Sequence, residues 1–261
     1  MKNWAVVCSF LFLAFSNVAK SQAIKFEEKS FFSKILNEER KLNIYLPDSF
    51  SAEKAYPVIY LLDGSLHEDF LHVAGLVQFF RMSYSMPPCI LVGIANVDRK
   101  RDFTFPTVDA ELKKSFPTTG GSEKFISFLE SELMPFVEKN YRTTVTKYLI
   151  GQSLGGLLAV EIALKKPQLF SHYLITSPSL WWDNQSLLKQ ATTLLDQQKV
   201  KIPYVYVGVG KEGKVMEKDA QSIFKKLEKA SFKSHFQYFP KENHATVLHI
   251  SLYFAFKQMF G

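Results

Sequence analysis

The segment from Lys147 to Leu164 reads Lys-Tyr-Leu-Ile-Gly-Gln-Ser-Leu-Gly-Gly-Leu-Leu-Ala-Val-Glu-Ile-Ala-Leu. Its first residues form a short apolar run typical of a buried strand. Its last residues form a longer apolar run typical of a buried helix that ends before Pro167. A Gly-x-Ser-x-Gly signature centred on Ser153 joins the two runs. A sharp strand-to-helix turn of this kind lifts a serine hydroxyl clear of the backbone, towards a base, so the segment predicts Ser153 as a nucleophile.

Strands and helices alternate along the rest of the chain. Residues 26–36 and 39–45 suit an antiparallel opening pair, and the apolar runs 58–62 and 90–94 indicate strands covered on both faces. Further strands are predicted at 173–176, 203–208 and 235–239, and helices at 70–82, 122–141 and 246–259. This alternation predicts an α/β fold with a mostly parallel sheet flanked by helices on both faces. The long irregular stretch 97–121 is predicted to form a rim or lid.

The first 23 residues resemble a secretory signal peptide. Lys2 supplies a positive charge, the apolar run 5–15 is too short to span a bilayer, and Ser21-Gln-Ala23 offers a cleavage site. We therefore expect a signal peptide at 1–23 and one domain at 24–261, exported to the periplasm or secreted, without a stable membrane anchor after processing. The oligomeric state is left open.

The charge distribution and the histidine spacing indicate neither a nucleic-acid partner nor a metal site. The net charge is +7, but the basic residues are dispersed along the sequence, so nucleic acid is not expected as a partner. His67 and His72 are five residues apart and match no zinc-ligand pattern, so no metal is expected.

A general base and an acid should accompany Ser153 at the carboxyl ends of the parallel strands. His244 follows the last predicted strand and fits the base in the chain order nucleophile, acid, base. Glu212 follows the strand that ends near Gly208 and is the first choice for the acid. Asp183 is the alternative acid, and a site without an acid is also left open.

Two backbone N–H groups should stabilise the oxyanion. The amide of Leu154, directly after the nucleophile, is one candidate. The other should come from Asp63-Gly64-Ser65, where Gly64 is the first choice and Ser65 the alternative. A plain turn at Asp63-Gly64 is an equally simple explanation of these residues.

Several motifs occur together: Tyr60-Leu-Leu-Asp-Gly64, Val92-Gly-Ile94, Arg99-Lys-Arg-Asp-Phe103, Ile150-Gly-Gln-Ser-Leu-Gly-Gly156, Ser177-Pro-Ser-Leu-Trp-Trp182 and Glu242-Asn-His244. Together they resemble the esterase branch of the α/β-hydrolases that includes esterase D and the siderophore trilactone esterases. The resemblance implies an α/β-hydrolase fold and a cofactor-free serine carboxylic-ester hydrolase that acts on a small-molecule ester through an acyl-enzyme. Ser153 and His244 match its motif positions.

The resemblance also bears on the substrate. Arg99 and Arg101 lie in a segment similar to one that flanks the cleft of siderophore esterases, although a salt-bridged loop is an alternative. Trp181 and Trp182 are predicted to line a substrate pocket or to pack in the core. Siderophore trilactones are the first expectation. Feruloyl or acetyl esters of carbohydrates, acyl transfer, and a non-catalytic ligand-binding protein are the alternatives.

Overall fold

The computed structural model describes residues 26–261, so the predicted signal peptide lies outside the described residues. Eight strands form one sheet: β1 (Phe26–Ser33), β2 (Glu38–Tyr45), β3 (Tyr56–Leu61), β4 (Ile90–Ile94), β5 (Thr143–Gln152), β6 (His172–Thr176), β7 (Ile202–Gly210) and β8 (Ser231–Phe239). Their order across the sheet is β1-β2-β4-β3-β5-β6-β7-β8. β1 and β2 are antiparallel to their neighbours, and the other six strands are parallel to one another.

The helices are α1 (Phe70–Ser83), α2 (Arg99–Asp102), α3 (Ala110–Ser115), α4 (Ser122–Phe128), α5 (Met134–Asn140), α6 (Leu154–Lys165), α7 (Trp182–Asp196), α8 (Lys214–Lys229) and α9 (Val247–Phe260). A π-helical turn at Leu129–Leu133 joins α4 to α5, and a short 3-10 turn at Pro167–Leu169 precedes β6. No helix within residues 26–261 is long and apolar enough to cross a membrane.

Helices cover both faces of the sheet, which confirms the predicted architecture. Alternate side chains of β3 enter two separate apolar cores: Val58 and Tyr60 join one, and Ile59 and Leu61 join the other. The first core also contains side chains of α4 to α8, and the second contains side chains of α1 and α9. Because successive strand residues point to opposite faces, a strand between two helix layers is apolar throughout.

Three segments differ from the sequence-based expectation. The stretch 97–121 contains α2 and α3, whose N-terminal amides are capped by the side chains of Asp98 and Asp109. Both helices are too short to display a hydrophobic period, so periodicity could not reveal them. β8 begins at Ser231, four residues before the predicted start, and α7 had not been predicted. The predicted helix 122–141 is present as α4, the π-helical turn and α5.

The parallel strands bring their carboxyl ends to one edge of the sheet. β5 leads into Ser153, β7 leads into the loop that carries Glu212, and β8 leads into the loop that carries His244. Because β5, β6, β7 and β8 are consecutive neighbours in the sheet, their carboxyl-end loops lie side by side. The topology therefore collects the predicted catalytic residues at one edge.

Candidate active site

The turn between β5 and α6 holds Ser153 in a strained backbone conformation, with φ 58° and ψ −119°. A non-glycine residue occupies such a conformation only when the surrounding structure enforces it. Here the amide of Ser153 donates to the carbonyl of Thr176 in β6 over 3.1 Å. A Cβ on Gly151 would lie only 2.4 Å from the carbonyl oxygen of Gly155, so the close approach of strand and helix requires glycine there.

His244 and Glu212 form a close pair beside the serine. The Nδ1 atom of His244 lies 2.5 Å from Oε2 of Glu212. The imidazole is 46% exposed, whereas the Glu212 side chain is only 3% exposed. A buried carboxylate on Nδ1 fixes the orientation of the ring and leaves Nε2 as the nitrogen that can act as a base.

The other carboxylate oxygen of Glu212 is also held by hydrogen bonds. Its Oε1 accepts from the Ser177 hydroxyl at 2.5 Å and from the Gly210 amide at 3.0 Å. Burial opposes ionisation of this carboxyl, but the hydrogen bonds from His244, Ser177 and Gly210 outweigh it and lower its pKa. Glu212 is therefore a carboxylate at neutral pH.

Asp183, the alternative acid, has different partners. Its carboxylate accepts from the Thr107 hydroxyl at 2.7 Å and from the Val108 amide at 3.3 Å. Asp183 thus links the start of α7 to the 97–121 segment. The carboxylate that contacts His244 is that of Glu212.

The hydroxyl of Ser153 lies 3.3 Å from the hydroxyl of Ser179. Within residues 26–261 the Ser153 side chain makes no direct hydrogen bond to His244, although both line the same cleft. Catalytic hydrogen bonds of ligand-free enzymes are often long and tighten only when substrate binds. A hydrogen bond between Ser153 and His244 would require the Ser153 hydroxyl to turn away from Ser179.

The cleft has two lobes that meet at Ser153 and His244. One lobe, of about 430 Å³, is lined by Ser179, Trp181, Lys211 and other side chains. The second, of about 340 Å³, is lined by five further residues: Asp63, Glu68, Asp69, Arg99 and Gln152. An ester bound at the junction could place its acyl group in one lobe and its alcohol in the other.

The amide of Leu154 is the first of α6 and therefore has no acceptor within the helix, which suits an oxyanion donor. The amide of Gly64, the first choice for the second donor, already donates to the Ile94 carbonyl at 3.0 Å, which favours the alternative, Ser65. Glycine is required there for packing: a Cβ would lie 2.4 Å from the Cα of Gly93. The neighbouring amide of Ser65 makes only a 3.3 Å contact with the Glu68 carboxylate.

Arg99 reaches the cleft, and Arg101 does not. Arg99 binds Asp63 through Nε at 2.6 Å and Nη2 at 2.9 Å, at the wall of the second lobe. Arg101 is held by Glu38 at 2.6 and 2.9 Å and by Asp102 at 2.7 Å. Because these carboxylates occupy its guanidinium, the predicted contact of Arg101 with substrate is not supported.

The two adjacent tryptophans also differ in location, since one lies in the cleft and the other in the core. Trp181 lines the first lobe. Trp182 is completely buried in the core, and its Nε1 donates to the Phe105 carbonyl at 2.9 Å. The predicted pocket role therefore fits Trp181, and Trp182 packs the core.

Ser177, Ser179 and Asp69 are among the site residues that were not singled out as candidates from the sequence. Ser177 and Ser179 follow the end of β6, so the rule that selects loops at the carboxyl ends of strands could have found them. Asp69 lines the second lobe, and burial together with the charges of Asp63 and Glu68 raises its pKa to about 6. The raised pKa of Asp69 arises from surroundings that form only in the folded chain, so no local sequence pattern indicates it.

Comparisons with known proteins identify close relatives. A family model described as "Putative esterase" matches residues 33–250. Ferri-bacillibactin esterase BesA of Bacillus subtilis (strain 168) is 30% identical over 237 residues, covering 81% of this chain and 82% of BesA. An IroE-like serine hydrolase from Shewanella oneidensis is 31% identical with a TM-score of 0.80, covering 90% of this chain and 80% of that structure. The BES protein from Bacillus cereus is 28% identical with a TM-score of 0.79 and 98% coverage of both chains.

Proposed function

This chain belongs to the putative esterase family and is a carboxylic-ester hydrolase, and we propose that it opens siderophore trilactones through an acyl-enzyme on Ser153. The observation that carries the proposal is the junction of the two lobes. There the strained Ser153 lines the same cleft as a His244–Glu212 pair whose hydrogen bond measures 2.5 Å. The similarity to BesA, a ferri-bacillibactin esterase, supports the choice of substrate class.

The chemistry follows from the orientation of His244. Because Nδ1 is bonded to Glu212, Nε2 is the nitrogen that takes the Ser153 proton as the serine oxygen attacks the ester carbonyl. The resulting imidazolium is stabilised by the Glu212 carboxylate. It returns the proton to the leaving alcohol, and His244 then activates water to hydrolyse the acyl-enzyme.

The oxyanion of the tetrahedral intermediate is assigned to two amides. One is Leu154, at the start of α6, where the helix dipole adds further positive potential. The other is Ser65, whose long contact with Glu68 leaves it available to a stronger acceptor. Arg99 and Trp181 line the cleft and are assigned to substrate contacts. Arg101 and Trp182 do not line it and are not assigned to them.

The first lobe suits an anionic aromatic group. Trp181 offers an aromatic face for stacking. Lys211 lines the same lobe and forms no salt bridge with any residue in the range 26–261, whereas Arg99 is already neutralised by Asp63. An aromatic catecholate, which is anionic when it binds iron, therefore fits this lobe better than a neutral sugar does.

A substrate comparison tests the proposal. Purified full-length protein is given an iron-loaded catecholate trilactone, the iron-free trilactone, a feruloylated sugar and nitrophenyl acetate, with S153A as the blank. We expect kcat/KM for a trilactone to exceed that for each other ester by about tenfold or more, because one or two extra contacts contribute that much. Turnover of nitrophenyl acetate or the feruloylated sugar without opening of either trilactone would contradict the substrate class and leave the esterase assignment intact.

Export is the remaining part of the proposal. The apolar run 5–15 and the small residues around Ala23 support cleavage after residue 23, which would release a soluble 24–261 chain to the periplasm or medium. The exported protein should then begin at Ile24 when its N-terminus is sequenced. An exported protein that still begins at Met1 would contradict this.

A further inference from the structure

A large cavity in the described part of the chain lies far from the active site. Its volume is about 680 Å³, and it is formed by the end of α7, the segment 197–201 and the second half of α8. Five lysines line it: Lys199, Lys201, Lys225, Lys226 and Lys229. We call this feature the lysine groove. It opens beside the amino end of β7, whereas Glu212 follows the carboxyl end of the same strand.

The lysine groove concentrates the positive charge of the protein. Its five lysines and one acidic residue, Asp196, give a formal charge of +4, out of +7 for the whole chain. None of the five lysines forms a salt bridge with a carboxylate among residues 26–261. Elsewhere Lys147, Lys165 and Lys166 are each paired with a glutamate. The groove therefore has a positive potential that the protein does not neutralise itself.

Apolar surface accompanies this charge. Leu195 and Ala230 contribute to the lining of the groove. Val200 and Phe232 are 52% and 74% exposed, and the Lys201 ammonium lies 5.7 Å from the centre of the Phe232 ring. Lysines around an exposed aromatic side chain are the combination by which peripheral proteins attach to anionic lipid surfaces.

We propose that the lysine groove docks the protein onto an anionic phospholipid surface. All its cations are lysines, which act as mobile point charges and suit many lipid phosphates better than one fixed bidentate ligand. The nine residues of β7 separate the groove from the Glu212 loop by about 26 Å. Docking through this end leaves the two-lobed cleft open, and the proposal does not depend on the substrate of the enzyme.

Vesicle co-sedimentation tests the proposal with the processed protein, residues 24–261, because the apolar run 5–15 of the unprocessed chain would itself bind vesicles. We expect at least tenfold stronger binding to phosphatidylglycerol–phosphatidylcholine vesicles than to pure phosphatidylcholine vesicles, and a loss of binding at high salt. The triple variant K225Q/K226Q/K229Q should bind about 100-fold more weakly, because each lysine near a charged surface contributes about fivefold. Glutamine preserves helix propensity, so α8 should remain folded.

The matched control is K113Q/K114Q/K124Q, which removes three exposed lysines outside the groove and should leave vesicle binding within about threefold of wild type. Hydrolysis of nitrophenyl acetate should be unchanged in both triple variants, which verifies that they fold. F232S should weaken vesicle binding and leave any binding of soluble tripolyphosphate unchanged. Equal binding to both vesicle types, equal losses in the two triple variants, or a response to tripolyphosphate alone would overturn the proposal.

Discussion

Replacing Ser153 by alanine is expected to lower kcat/KM for nitrophenyl acetate by about 10⁵-fold or more, because no other group can form the acyl-enzyme. Ser153 sits at the junction of the two lobes, in a backbone conformation that the surrounding strand and helix enforce. The measurement is steady-state hydrolysis with circular dichroism of the same samples.

The matched control for this substitution is S127A. Ser127 lies on the exposed side of α4, where its hydroxyl bonds only to the Glu123 carbonyl at 2.9 Å. It should retain wild-type activity. If S153A kept more than about a tenth of wild-type kcat/KM with an intact fold, the hydrolysis would have to proceed at a different group.

Substituting Glu212 by glutamine is expected to lower kcat by about 10²- to 10⁴-fold with little effect on KM. The amide has the shape of the carboxylate, but it cannot stabilise the His244 imidazolium. Its NH₂ group also has to face either His244, in place of Oε2, or both Ser177 and Gly210, in place of Oε1. The measurement is the separate determination of kcat and KM for the same ester.

D183N provides the matched control, because Asp183 is the alternative acid and also accepts two hydrogen bonds. It should keep kcat within about threefold of wild type, since its bonds hold the 97–121 segment and not the histidine. A larger loss of kcat in D183N than in E212Q would reverse the assignment of the acid.

The lowered pKa of Glu212 predicts how the stability of the fold depends on pH. Its pKa is lowered in the folded protein, so the ionised carboxylate stabilises the fold above the ordinary value of 4.5, and this contribution is lost as pH falls through the folded pKa. The stability deficit of E212Q relative to wild type should therefore be constant near neutral pH and shrink below pH 4.5. Thermal unfolding of both proteins between pH 3 and 7 measures this difference.

The features predicted well from sequence are local or follow from strand order. Ser153 could be located because the glycines and the two apolar runs that define its turn are contiguous in the chain. His244 and Glu212 could be selected because parallel topology places the loops after β7 and β8 beside the turn after β5. Their joint placement agrees with the expectation, and their catalytic roles stay predictions for the variants above.

The features that were missed depend on partners from distant segments. Whether the amide of Gly64 is free depends on the Ile94 carbonyl of β4, which no spacing near Gly64 reveals. Arg101 is occupied by Glu38 from β2, and Trp182 is buried by the 97–121 segment. The lysines of the groove look dispersed in the sequence, because α8 and the 197–201 segment meet only in the folded chain.

The activation of Ser153 by His244 is the central claim, and covalent labelling tests it most directly. The protein is treated with a fluorophosphonate, which reacts only with an activated serine, and the modified peptide is identified by mass spectrometry. The account predicts one adduct, on Ser153, with labelling at least about 100-fold slower in H244Q. An adduct on another residue, or no adduct on a protein that still hydrolyses esters, would contradict it.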